Sequence, residues 1–138
     1  MSEQLEYSKT GETAFNPLYI GLTYRSRQKL YNRIDTRVDK MLQDGLLDEA
    51  RRFYSQYDGK TSSQAIGYKE LLPYIEGKQE LSECVDRLKM QTRRYAKRQL
   101  TWFNRNKEIN WFFCDDYENY DELLNAAVKL AEKFISKE

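Results

Sequence analysis

Thr92-Arg93-Arg94-Tyr95-Ala96-Lys97-Arg98-Gln99-Leu100-Thr101-Trp102-Phe103 is the stretch on which the reading of this chain turns. Four cations, three polar residues and three aromatics share it. On a helix at about 100° per residue, Leu81, Val85, Leu88, Tyr95, Ala96 and Phe103 fall on one side, as a buried stripe should. Arg94, Arg98, Thr101 and Arg105 form a second stripe, flanked by Arg93 and Lys97. From Lys89 to Lys107 there are seven basic residues and no acid. The predicted helix, from about Glu80 to Asn104, therefore presents a cationic face suited to a long anion. Thr92 and Gln99 fall inside the apolar sector. A polar group left unsatisfied there costs about 1–3 kcal/mol, so each needs a partner in protein, water or ligand.

The charge is local rather than global. The 138 residues carry a net charge of +1, and Glu108 to the end holds eight acids against three lysines. There are two cysteines, Cys84 and Cys114, and no histidine. That set does not make a structural zinc site, and it reads as two small apolar residues in a reducing compartment. Without histidine the usual general base near neutral pH is missing. No apolar run approaches membrane-spanning length and no signal peptide is visible, so a cytoplasmic protein with no membrane partner is expected.

Outward from the basic helix, residues 1–14 read as a mobile leader. Leu18 to Thr23 is a short strand with apolar residues on both faces, the pattern of a buried strand. Gly21 within it either lets a neighbour approach closely or is merely tolerated. A helix is predicted from about Ser26 to Asp44, with Leu30, Ile34, Val38, Met41 and Leu42 buried and Gly45 as its stop. Leu46, Leu47, Ala50, Phe53 and Tyr54 continue as a second helix. A short helix opens at Gln64 and ends near Gly77, with Pro73 inside it. Ile109 to Cys114 is the second strand. Asn119 and Glu122 resemble a capping box before a final helix carrying Leu123, Leu124, Ala127, Leu130, Ala131, Phe134 and Ile135. Two lone strands around a helical stretch suggest the last portion of a larger α/β protein, since parallel strands belong to larger covered sheets.

Two further constellations bear on chemistry. Arg33 and Arg37 are four apart and share a helix side, with Arg37 at the edge of the buried face. A guanidinium fork there suits phosphate or pyrophosphate; an ion pair with Glu49 is the competing reading. Ser62 to Lys69 is a serine-rich loop entering a helix, whose N-terminal N–H groups are a natural anion site. Gly67 would allow close backbone approach and Tyr68 a stacking face; a capped surface helix with a packing glycine is the alternative. There is no glycine-rich phosphate loop, no paired carboxylates in an acid/base arrangement, no nucleophile elbow and no metal cluster. Cations interleaved with Tyr95 and Trp102 suit a nucleic-acid backbone with bases to stack on.

Taken in order, these motifs resemble the tRNA dimethylallyltransferase (tRNA isopentenyltransferase) family of bacterial type. The resembling text is Asn16 to Thr23, Leu30 to Met41, Gly45 to Glu49, Gln64 to Glu70 and Thr92 to Phe103. The resemblance implies an α/β, predominantly helical chain: the C-terminal part of a P-loop NTPase-like fold, with two short strands and about five helices. On it, residues 15–138 are the C-terminal portion of a prenyltransferase catalytic domain. It implies transfer of a dimethylallyl group from dimethylallyl diphosphate to N6 of the adenosine just 3′ of the anticodon. Mg2+, with ligands not in this chain, assists pyrophosphate departure. Arg37 matches the pyrophosphate-binding arginine. Gln64, Ala65, Ile66, Gly67, Tyr68 and Lys69 match one tRNA-contacting segment. Lys97, Arg98, Gln99, Thr101, Trp102 and Asn104 lie in another. Arg33, Arg93, Arg94 and Arg105 are candidate phosphate contacts. Asn104 stands where the family often has a basic residue.

The family's glycine loop and general base are not in this sequence, so the chain alone is expected to be inactive. The expected partner is the tRNA anticodon stem-loop. The parent enzyme is expected to be a monomer, while the chain alone could self-associate through its strands. Two other functions compete. One is a stand-alone RNA-binding module; the other is an adenylate isopentenyltransferase-like enzyme, against which the long basic helix argues.

Overall fold

The structure, a computed structural model, describes residues 15–56 and 65–137. The expected leader, residues 1–14, lies outside them, as does Gln64. The described residues form two compact units, one within Tyr24–Arg105 and one from the described parts of Met1–Thr23 and Asn106–Glu138. The expected α/β, mostly helical architecture holds, with five α-helices and two short strands among the described residues.

The Tyr24–Arg105 unit is four helices. Helix α1 spans Arg27–Gln43, α2 Leu46–Gln56, α3 Tyr68–Ile75 and α4 Leu81–Phe103. Ser26 starts α1 by accepting the Lys29 N–H at 3.3 Å, as a helix N-cap should. Gly45, at φ +106°, stops it, and its N–H donates to the Leu42 carbonyl. Helix α3 contains Pro73 and ends in a Schellman turn: Gly77, at φ +74°, donates to Tyr74 O, and Lys78 donates to Pro73 O at 2.8 Å.

Val38, Leu46, Ala50, Leu71, Cys84 and Leu88 make the core of this unit. Helix α4 packs on both α1 and α3. Two ion pairs fix the α1–α4 register, Lys89–Asp39 and Arg93–Asp35, each at 2.7 Å. They show the two helices running antiparallel.

The structure corrects the expected buried stripe of α4. Of its N-terminal members Leu88 is buried and Leu81 and Val85 are half-buried against the core, while Cys84, outside the expected stripe, is enclosed. Tyr95 and Phe103, expected in the core, are 45% and 41% exposed. The register still places Tyr95 within the span of α1, so α1 alone does not enclose it, and the core takes no residue of α4 beyond Leu88. Met41 at the other end of α1 is also exposed.

In the other unit, β1 (Ile20–Thr23) pairs in parallel with β2 (Asn110–Phe113), Gly21 opposite Trp111. Gly21 is required: a Cβ there would stand 2.6 Å from Trp111 Cε3 and 2.8 Å from Ile109 Cγ2. The close neighbour foreseen for this glycine is therefore an indole. Asn110 clamps the start of the pair, its N–H and Nδ2 both donating to Tyr19 O. The strand expected to be buried is not, since Ile20 and Leu22 are 42% and 56% exposed. With one partner strand, only one side of the two-faced apolar pattern is covered. A single 3₁₀ turn, Cys114–Asp116, leads toward α5 (Tyr120–Ser136). Asn119 accepts the Glu122 N–H at 3.0 Å, and the Glu122 carboxylate reaches back to the Glu118 N–H. Leu123 is buried, whereas Leu124 and Ile135, expected in the core, are exposed. Both cysteines are free thiols.

Candidate nucleic-acid interface

Helix α4 sorts its cations by partner. Lys89 and Arg93 turn toward α1 and are neutralised by Asp39 and Asp35. Arg93 also lies over the Tyr31 ring, 5.9 Å from its centroid. Arg93, a candidate phosphate contact in the sequence, is thus held by the fold. Arg94, Lys97, Arg98 and Arg105 are exposed, and none has a carboxylate partner among the described residues. Arg94, Lys97 and Arg98 are spaced three and four apart, where like charges repel by about 0.2–0.5 kcal/mol per pair. An anion laid along that face removes the repulsion.

The aromatic content of the face is open as well. Trp102 is 62% exposed and meets Phe103 edge to face, with centroids 4.9 Å apart. Arg98 sits 5.9 Å from the Tyr95 ring centroid. Cation, ring and cation thus alternate along the last turns of α4.

The polar residues of the face divide. Thr92 finds its partner in its own helix, donating to Leu88 O at 2.8 Å. Thr101 does the same to Lys97 O at 3.0 Å, a bond that tends to bend a helix slightly. Gln99 is exposed, not within the apolar sector as the wheel placed it. Asn104 is the exposed C-cap residue, its N–H donating to Leu100 O.

At the entrance to α3 the described residues carry the capped-helix alternative, while Ser62, Ser63 and Gln64 of the predicted loop lie outside them. Glu70 is 3% exposed, and its Oε2 accepts the Gly67 N–H at 2.8 Å. Its Oε1 lies 3.9 Å from Lys69 Nζ. The Lys69 N–H is directed at Ala65 O. The helix supplies its own carboxylate where a bound anion would otherwise sit. Gly67 serves conformation rather than close approach: its φ is +111°, and a Cβ would meet only Leu46 Cδ1, at 3.8 Å. One face of the Tyr68 ring stacks on Phe53 at 4.9 Å and 26°, and its hydroxyl donates to Glu49 Oε1.

Arg33 and Arg37 are exposed on α1, without an ion pair among the described residues. Glu49, the alternative partner for Arg37, takes the Tyr68 hydroxyl instead. Arg37 is more exposed than a place at the edge of the buried face implied, although its neighbour Val38 is in the core. Two tyrosines have acid ionisation pushed above the ordinary value. The Glu49 hydrogen bond raises Tyr68, with burial and the Glu49 charge adding. Burial raises Tyr54, with the Glu70 and Glu76 charges adding, and its hydroxyl has no partner among the described residues.

The Glu70 and Glu49 bonds had no place in the sequence expectations. Gly67 and Glu70 do stand at capping-box spacing, and that signal was legible. No group of three His, Cys, Asp or Glu residues that could hold a metal ion occurs among the described residues. Among the described residues no helix is long and apolar enough to cross a membrane.

The IPP transferase family model matches residues 1–106. The tRNA dimethylallyltransferase of Thermoanaerobacter sp. (strain X514) is 45% identical over 117 residues, 83% of this chain and 37% of the relative. That of Streptococcus pyogenes serotype M6 is 48% identical over 111 residues, 80% of this chain and 37% of the relative. The chain thus spans little more than a third of the length of these curated relatives. Among solved structures, the full-length tRNA isopentenylpyrophosphate transferase from Bacillus halodurans matches with a TM-score of 0.79 and 40% identity, over 98% of this chain and 45% of that one. The tRNA delta(2)-isopentenylpyrophosphate transferase from Staphylococcus epidermidis gives 0.77 and 35%, over 96% and 43%. These neighbours have the P-loop NTPase-like fold. The chain belongs to the IPP transferase family.

Proposed function

We propose that this IPP transferase family chain forms the RNA-holding part of a tRNA prenyltransferase. The reaction is transfer of a dimethylallyl group from dimethylallyl diphosphate to N6 of the adenosine 3′ of the anticodon. The protein acts in the cytoplasm on the anticodon stem-loop of tRNA. The observation that carries this reading is the row Arg94, Lys97, Arg98 and Arg105, exposed and without carboxylate partners among the described residues, with Trp102 open beside it. Phosphates take the cations, and a base stacks on the indole for about 1–3 kcal/mol. Gln99, Thr101 and Asn104 lie along the same exposed turns. Ala65, Ile66, Gly67, Tyr68 and Lys69 form a second contact segment beside α3, continuing from Gln64.

Arg37 serves the other substrate. Its guanidinium meets the pyrophosphate as negative charge builds on it, a charge-assisted contact that strengthens toward the transition state. Arg33, one turn away, supports the same charge. Magnesium finds no ligand set among the described residues, so no step runs through it here. The chain by itself binds RNA without transferring the prenyl group, because the glycine loop and the base belong to parts of the family fold that it does not carry.

The test is fluorescence anisotropy with a labelled anticodon stem-loop at about 50 and 200 mM salt, where several phosphate contacts change affinity by orders of magnitude. Tight, salt-sensitive binding is expected. No binding at the lower salt overturns the reading.

A further inference from the structure

We infer that Glu49 is a positioning residue for the RNA-contacting segment and acts through the Tyr68 hydroxyl; the inference rests on the RNA reading above. Tyr68 is the first residue of α3 and directly follows Gly67, whose positive φ turns the chain. Its side chain is gripped from α2 at two points one helical turn apart. Phe53 stacks on the ring at 4.9 Å, and Glu49 accepts the hydroxyl proton. Behind the turn, Glu70 fixes the Gly67 N–H at 2.8 Å. Two carboxylates therefore set this segment, one holding its backbone and one its leading side chain.

The choice of a carboxylate at Glu49 is informative. It is exposed, and it carries negative charge next to a segment meant to meet RNA, so its electrostatic effect on binding is adverse. Among the described residues it makes no ion pair that would account for it. What it supplies is an acceptor that orients a tyrosine nineteen positions away. Because Glu49 takes the only hydroxyl proton, the Tyr68 oxygen has acceptor capacity left and no donor. Tyr68 thus presents a fixed ring edge and an acceptor. The RNA group that matches is a hydrogen-bond donor, a ribose 2′-hydroxyl or an exocyclic amine, rather than a phosphate.

The experiment is a cycle of Glu49→Ala, Tyr68→Phe and the double variant, with Glu49→Gln as the conservative change, in the 138-residue chain. Affinity for the anticodon stem-loop is read at several salt concentrations, with melting curves as a control on folding. Glu49→Ala is expected to bind about tenfold more weakly, the change that about 1.4 kcal/mol produces, with its salt slope kept. The double variant binds no worse than Tyr68→Phe alone, since one residue acts through the other. Glu49→Gln keeps an acceptor and removes the charge, so it binds at least as well as wild type. The Tyr68 phenolate absorbance, taken as wild type minus Tyr68→Phe and as Glu49→Ala minus the double variant, lies at lower pH in the second difference. A purely structural role would change melting without this pattern. If wild type does not bind RNA, the RNA reading falls. If wild type binds and Glu49→Ala binds equally well, or the two losses add, the RNA reading stands and the positioning role falls.

Discussion

Arg93 Nη1 lies 2.7 Å from Asp35 Oδ1, while Arg94, its neighbour in sequence, points away from every carboxylate among the described residues. This one-residue difference divides the basic helix into a structural side and an open side. Asp39 repeats the choice one turn along by taking Lys89. A run of like charges in the sequence therefore contains two populations. Only one is free to meet an external anion without breaking the fold.

That division predicts opposite phenotypes for two arginines on the same helix. Arg98→Ala should leave the melting temperature within error and flatten the slope of log affinity against log salt by about one. Arg93→Ala should do the reverse, keeping the slope and costing about 0.5–1 kcal/mol of stability. That figure is modest because both partners of the pair are about one-third exposed and solvent screens them. Urea titration and anisotropy on the same samples separate the two. An Arg93→Ala variant that lowers the slope as much as Arg98→Ala would erase the distinction.

Gly21→Ala should destabilise the strand pair. The added methyl would enter space held by the Trp111 ring at 2.6 Å and by Ile109. Forced overpacking of this kind costs about 1–3 kcal/mol. Neither neighbour is the loose end of a long chain, and the two strands lock the ring in register. Wild-type behaviour in denaturant would mean the indole has room to swing aside. Indole fluorescence follows the transition directly.

Much of this was legible in the sequence because local rules decide it. Ser26, Gly45, Asn119 and the Leu–Ile–Val spacing of α1 report on their own turns, and the structure places caps and breaks there. The exposed row along the later turns of α4 and just beyond was legible too, since seven cations from Lys89 to Lys107 without an acid cannot all be buried. What the wheel could not give was the extent of cover. Tyr95 and Phe103 have the right phase for a core, yet the core takes no residue of α4 beyond Leu88. Gln99, on the same later turns, was misplaced for the same reason. The Glu70 cap on Gly67 had a readable signal in their spacing, whereas the Glu49–Tyr68 bond joins two helices and leaves no periodic trace.

Alkaline pH should weaken this fold through Tyr54 and Tyr68. Both ionise above the ordinary value near 10, Tyr68 chiefly through its bond to Glu49 and Tyr54 chiefly through burial. A raised folded-state value means the native state holds its proton more tightly than the unfolded chain does. The stability this brings is complete below pH 10 and is lost as pH rises through the folded values. Melting temperature should therefore decline above pH 10. The decline should be shallower in Tyr68→Phe, where one of the two linked protons is gone. Identical slopes in the two proteins would remove Tyr68 from the account.

Arg37 provides the sharpest test of the prenyl-transfer reading. In an enzyme that carries this sequence together with the glycine loop and the base, Arg37→Ala should lower kcat for dimethylallyl transfer by about a hundredfold to a thousandfold, the loss expected for one charge-stabilising donor. Affinity for tRNA should hold, because Arg37 lies on α1 and outside the α4 row. Stability should also hold, since the side chain is exposed and has no ion pair among the described residues. Arg37→Lys should recover only part of the rate, as an ammonium keeps the charge but loses the fork of parallel donors. A rate equal to wild type would free Arg37 from the leaving group. A loss confined to tRNA affinity would instead assign it to the RNA face.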